Sequence, residues 1–172
     1  MQVYHFSEMA YPQAWEGRSS LRVSIPSSEY DPVLGADLLN RHLDEWVLCD
    51  ELGLNIMVNE HHSTATCISP DCTLSLAILA RQTKNARLLA LGVPIANRPN
   101  PVRIAEEMAM IDNISYGRLE CGFVRGVPYE LFASNRNPTE TAERMWDSID
   151  LIVKAWTTHD GPFNYEGKWI HK

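Results

Sequence analysis

Two observations in the sequence predict an α/β fold built on a parallel sheet. Strand-like runs alternate with helical patterns four times in succession, an order that gives parallel strands joined by right-handed crossovers. Strand starts fall near residues 3, 55, 87 and 118, and the last two intervals sit near the roughly 31-residue repeat of a βα unit. Periodicity alone leaves a doubly wound sheet and an αβ-barrel both open. In either fold the strand C-termini and the loops after them form the edge where ligands bind.

The first strand is read from "QVYHFSEM". Residues 9–36 follow as a long linker, because Pro12, Pro26, Pro32 and several serines break any regular element. Helix one is expected over 37–52, with Leu38, Leu39, Leu43, Trp46 and Val47 on one face and Gly53 at the C-terminal cap. "NIMVNEHH" is the second strand. Ser69-Pro70 reads as a capping residue and first-turn proline for helix two, which carries Leu74, Ile78 and Leu79 and ends near Lys84. "RLLALGVPIA" is a near-continuous apolar run, as expected of a strand covered on both faces. Pro101 opens helix three, with Ile104, Ala105, Met108 and Ile111 inward. "LECGFVRG" is strand four. Asn137-Pro138-Thr139-Glu140 predicts another capped start, and Met145, Ile149, Ile152, Val153 and Trp156 recur at helical spacing. "FNYEGKWIHK" reads as a hairpin turning at Glu166-Gly167.

The 172 residues suit one domain. A net charge of −7 and the lack of any basic run argue against nucleic-acid binding. No window approaches 18 apolar residues and the first ten residues do not read as a secretory signal, so neither a membrane span nor export is expected. Cys49, Cys67, Cys72 and Cys121 include no C-x-x-C pair. Free thiols in a reducing cytoplasm are therefore the expectation, and no metal site.

The apolar run "MVNEHH" ends on three titratable side chains. Adjacent residues on a strand face opposite sides, so His61 and His62 are poorly placed to share one ion. One imidazole at a strand end can serve as a general base or bond a cofactor, and Glu60 can orient it or stay solvated. Arg125-Gly126 ends strand four, where a guanidinium can meet an anion and glycine lets backbone come close. A surface salt bridge is the plainer use of that arginine. Leu91-Gly92 puts a glycine inside strand three, which marks a close ligand approach, a bulge or simple packing. Trp15 lies in the long loop over this edge. No G-x-G-x-x-G follows strand one, which weighs against a dinucleotide fold.

Taken together, "DELGLNIMVNEHH", the segment 89–126, "IDLIVKAWT" and "FNYEGKW" resemble the bacterial-luciferase-like family of flavin-dependent monooxygenases. The resemblance implies a (βα)8 TIM-barrel fold, of which about four βα units are present, so that residues 1–172 make an N-terminal half barrel. It implies reduced FMN supplied by a flavin reductase, with a reduced deazaflavin as second choice, and O2 used to oxygenate a small organic substrate. By matching motif, His61 with Glu60 takes the catalytic position. Leu91 and Gly92 stand where the strand-three backbone, often through a non-prolyl cis bond, lies beside the flavin ring. Arg125 and Gly126 stand at the flavin phosphate. Val124 occupies the place of the luciferase reactive cysteine, and Cys121 is no substitute for it. A half barrel exposes inward side chains and two strand edges, so a homo-oligomer or pairing with a C-terminal half is expected. The competing readings are a non-catalytic half barrel that dimerises and a metal-dependent hydrolase built on Glu60-His61-His62.

Overall fold

A computed structural model describes residues 1–20 and 24–172; within the predicted 9–36 linker, residues 21–23 lie outside the described part. The elements run β1 (Tyr4–Phe6), α1 (Pro32–Glu51), β2 (Asn55–Val58), α2 (Cys72–Gln82), β3 (Leu88–Pro94), α3 (Pro101–Ser115), β4 (Leu119–Val124), α4 (Pro128–Ala133) and α5 (Thr141–Thr157). The strands pair in parallel in the order β1-β2-β3-β4, with Phe6 opposite Met57, Met57 opposite Leu89, and Leu89 opposite Glu120.

Each crossover steps one strand in the same direction, so the helices gather on one face of the sheet. That face is the core. Ile56, Val58, Leu88 and Ala90 meet Trp46, Leu76, Leu79, Met108, Ile111 and Ile152 there, all buried. The alternate residues Phe6 and Leu91 remain exposed on the other face, as the period of two requires. Across this uncovered face the Tyr4 hydroxyl donates to Glu120 Oε2 at 2.5 Å, and Arg87 also binds Glu120. In a flat sheet β1 and β4 would stand about 14 Å apart, beyond the reach of these side chains. The sheet is therefore curled, as a barrel segment is and an open doubly wound sheet is not.

Local chemistry sets the element ends and corrects several expectations. Helix α1 begins at Pro32, five residues before the predicted 37, because Asp31 accepts from the Val33 and Leu34 amides and Pro32 fits the first turn. It stops where Gly53 (φ 75°) lets the Leu54 amide return to the Cys49 carbonyl at 2.9 Å and the Gly53 amide to Asp50 at 3.2 Å. Helix α2 is capped by Asp71, which accepts from Thr73 and Leu74, and not by Ser69-Pro70. Its inner face is Cys72, Leu76, Leu79 and Ala80, while Leu74 and Ile78 point outward. In α5, Asn137 accepts from Thr139 in a turn before the helix, whose first residue is Thr141. Ile152 is buried as predicted, but Leu151 and not Val153 completes the inner face.

The C-terminal hairpin is present as a Glu166–His171 bridge, with its turn displaced to residues 167–170. Buried Asp147 of α5 holds it, accepting from the Tyr165 hydroxyl at 2.6 Å and from the Trp169 and Ile170 amides at 2.6 and 3.0 Å. Arg118 fastens the opposite end of the domain. Its guanidinium donates to the carbonyls of Ala80, Thr83, Ala86 and Ser115 and to the Thr83 hydroxyl, at 2.7–3.0 Å. These include terminal carbonyls of α2 and α3 that have no partner within their own helices. Arg118→Met should lower unfolding stability by about 2–3 kcal/mol in urea titration; a loss under about 0.5 kcal/mol would show that water replaces these bonds freely.

Candidate active site

The site lies at the C-terminal edge of the sheet, where short strands hand over to polar loops. Strand β2 ends at Val58, so Asn59, Glu60 and His61 belong to the loop after it and not to the strand. A cavity of ≈ 320 Å³ opens here, lined by all six residues singled out in the sequence: Glu60, His61, Leu91, Gly92, Arg125 and Gly126.

His61 is fixed from two sides. Its amide donates to the Ser69 carbonyl at 3.2 Å, and its Nδ1 meets Glu130 Oε1 at 2.9 Å. The same carboxylate oxygen accepts from the His62 amide at 3.0 Å. With Nδ1 engaged, Nε2 is the ring nitrogen left without a hydrogen bond among the described residues; Glu8 Oε2, at 3.6 Å, stands beyond a good hydrogen bond. Glu8 is itself held by the Asn59 amide group at 2.9 Å. The hydrogen bond to Glu130 raises the imidazole pKa above 6.5. Burial works against this, and the charges of Glu130, Glu8 and Glu60 add to it. Burial alone would raise the Glu130 carboxyl, yet the bonds from His61 and the His62 amide bring it below 4.5.

The sign of the linkage follows for each partner. The raised His61 pKa contributes stability that is whole below pH 6.5 and is lost as pH climbs through the folded value. The lowered Glu130 pKa contributes stability present above pH 4.5 and lost as pH falls through its folded value. Glu130→Gln should therefore bring the His61 titration, followed by its ring-proton NMR shift, back toward or below 6.5. An unmoved midpoint would show that Glu130 is not the group that sets it.

Glu60 does not orient His61, contrary to that expectation, and it is not solvated. Its side chain is 0% exposed; Oε1 accepts from Arg98 Nη2 at 2.6 Å and faces His62 Nε2 at 3.4 Å, while Oε2 accepts from the Cys72 amide at 3.0 Å. It closes the N-terminus of α2 from the loop side. Glu130, the true partner, was missed because the segment after strand four reads as a loop. The one local sign is Pro128, a first-turn proline for the six-residue helix α4.

The cavity's other walls are backbone. The Leu91–Gly92 peptide is cis, and the β3–β4 register slips between Leu91 and Val93. A Cβ on Gly92 would stand 2.9 Å from both the Gly122 carbonyl oxygen and Val124 Cγ1, so only glycine lets the strands close up here. A Cβ on Gly126 (φ 90°) would stand 2.8 Å from Asn97 Nδ2, and that buried carboxamide has no hydrogen-bond partner among the described residues. Beside it Arg125 is exposed and makes no hydrogen bond or ion pair among the described residues. Val124 lines the cavity, whereas the exposed Cys121 lies earlier on β4 and outside it. Among the described residues no group of three or more His, Cys, Asp or Glu could hold a metal ion, and no helix is long and apolar enough to cross a membrane.

Comparison with known proteins bears on this geometry. The family described as luciferase-like monooxygenase matches residues 22–172. The oxygenase component of a flavin-dependent trigonelline monooxygenase from Acinetobacter baylyi is 33% identical over 123 residues, covering 67% of this chain and 34% of that protein. Among solved structures, the monooxygenase RslO1 from Streptomyces bottropensis superposes with a TM-score of 0.79 at 24% identity, over 99% of this chain and 47% of its own. The oxygenating constituent of 3,6-diketocamphane monooxygenase from Pseudomonas putida, solved with FMN, gives 0.74 at 20% identity, over 100% and 42%. The chain thus spans about a third of that curated relative and less than half of these structures.

Proposed function

Because this chain belongs to the luciferase-like monooxygenase family, we propose that it is the flavin-holding N-terminal half of a (βα)8 monooxygenase. In this reading residues 1–172 carry the catalytic edge, and four further βα units complete the barrel. A reductase supplies reduced FMN, and O2 and a small organic substrate are consumed. The observation that carries the reading is the meeting of His61, the Leu91–Gly92 backbone and the unpaired Arg125 around one cavity.

The residues fit a flavin. Leu91, Phe6 and Val124 give apolar contact, and Arg125 supplies a cation at the rim that is unpaired among the described residues. When bound, reduced flavin supplies the electrons that activate oxygen. The protein's share is position and proton handling. His61 Nε2 takes a proton from the substrate side of the cavity, and Glu130 holds the resulting imidazolium, as a carboxylate behind a catalytic histidine does. Leu91, Phe6 and Pro94 limit water at the same wall.

Titration of the chain with FMN and riboflavin, read by flavin fluorescence, tests the binding half of this reading. FMN should bind more tightly, and Arg125→Ala should remove about tenfold of FMN affinity with riboflavin little changed. Equal loss of both ligands would contradict a phosphate role for Arg125. No FMN binding by about 100 µM would contradict autonomous flavin binding by this half.

A further inference from the structure

A second cavity, of ≈ 240 Å³, lies beside the first, and His61 is on the wall of both. Its described lining comes from residues 11–14, 25–30 and 61–70, in two loops fastened to each other. The loop between β1 and α1 pairs with the loop between β2 and α2 through Tyr11 N to Ala65 O at 2.9 Å, Ile25 N to Ser63 O at 2.8 Å and Ile68 N to Met9 O at 2.9 Å. The Trp15 indole adds a bond to the Ala65 carbonyl at 3.0 Å. Beneath them Tyr11, Ala14, Leu38 and Ala65 form a small buried cluster of their own. The pocket therefore needs nothing from the other half of a barrel.

Its walls state what it would hold. Tyr11 and Tyr30 pair their rings at 5.3 Å between centroids, and Ile25, Pro26 and Ile68 continue an apolar lining. Among the described residues no Lys or Arg lines it, and the one carboxylate there, Glu29, is paired with Arg18. Acidic Glu8, Glu130 and Glu60 stand around His61, so the local field disfavours an anion. A cavity of about 150 Å³ with apolar walls takes up benzene; this one has room for a substituted or bicyclic ring. Among the described residues, His61 is the titratable group shared with the first cavity.

We propose that this pocket is the subsite for an uncharged, ring-containing organic substrate whose carbonyl or hydroxyl group faces His61. It deepens the monooxygenase reading and rests on it for the role of His61, but ring binding itself requires no flavin. The test uses the whole chain without flavin, titrating 4-fluoroacetophenone and following its fluorine NMR line width, with 4-fluorobenzoate as the charged counterpart. Saturable binding of the ketone is expected, with benzoate at least about tenfold weaker. Ala14→Phe, which fills the pocket from below, and Ser27→Phe, on its exposed lip, should each weaken the ketone by about tenfold or more. The second variant keeps the test decisive if the first fails to fold. Unchanged ketone affinity in Ser27→Phe, equal binding of benzoate, displacement of the ketone by FMN, or no saturation by about 10 mM would each overturn the proposal. Failure of FMN to bind the chain, with these ketone results intact, would count against the flavin reading alone.

Discussion

Glu60→Ala should destabilise this chain by about 3–5 kcal/mol, the usual cost of removing one member of a buried ion pair. The carboxylate is wholly buried and engages Arg98 Nη2 at 2.6 Å and the Cys72 amide at 3.0 Å. Its loss leaves the Arg98 guanidinium, whose Nε is already buried without a partner, facing an empty space. It also leaves the first amide of α2 unpaired and removes a negative charge from that helix's positive end. Glu60→Gln keeps the shape and one acceptor, so its loss should be clearly smaller. Urea denaturation of both variants measures the difference. An alanine variant within about 1 kcal/mol of the wild type would mean that water enters and replaces the carboxylate.

His61→Ala should act on rate. In the proposed barrel, assayed with reduced FMN and O2, turnover should fall about 10²–10⁴-fold, the range for loss of a positioned general base. FMN affinity should change by no more than about threefold. The geometry motivates this split: Nδ1 is anchored by Glu130, while Nε2 has no hydrogen bond among the described residues, Glu8 Oε2 standing 3.6 Å away, and His61 lines both cavities. Exogenous imidazole should restore part of the lost rate, which it would not do for a side chain that only supports the loop. The rate should also climb with pH through the raised His61 pKa, and Glu130→Gln should move that climb to lower pH. A rate that falls in parallel with FMN affinity would assign His61 to binding instead.

How legible all this was depends on the range over which each feature is decided. The βα order, the inward faces of α3 and the start of that helix at Pro101 follow from nearest neighbours in sequence, and the structure repeats them. The start of α1 was legible too, since Asp31-Pro32 carries the same capping signal used elsewhere, but the surrounding prolines masked it. The inner face of α2 was not, because Leu74 and Ile78 are as apolar as Leu76 and Leu79 and only the sheet decides between them. The six cavity residues could be found because each interrupts a strand or follows closely on its end. The partner of His61 could not. Glu130 lies 69 residues away on a helix too short to show periodicity, and the conspicuous neighbour Glu60 turned out to serve Arg98 and α2.

The strand order has a consequence for how such a sheet is made. Each of β2, β3 and β4 pairs with the strand before it in the chain, so each new βα unit finds its docking edge already formed. A nascent chain can therefore consolidate these four strands in the order in which they are synthesised. In the proposed barrel, the edge of β4 is then the growing tip that receives the next strand, and β1 is the edge that receives the last one.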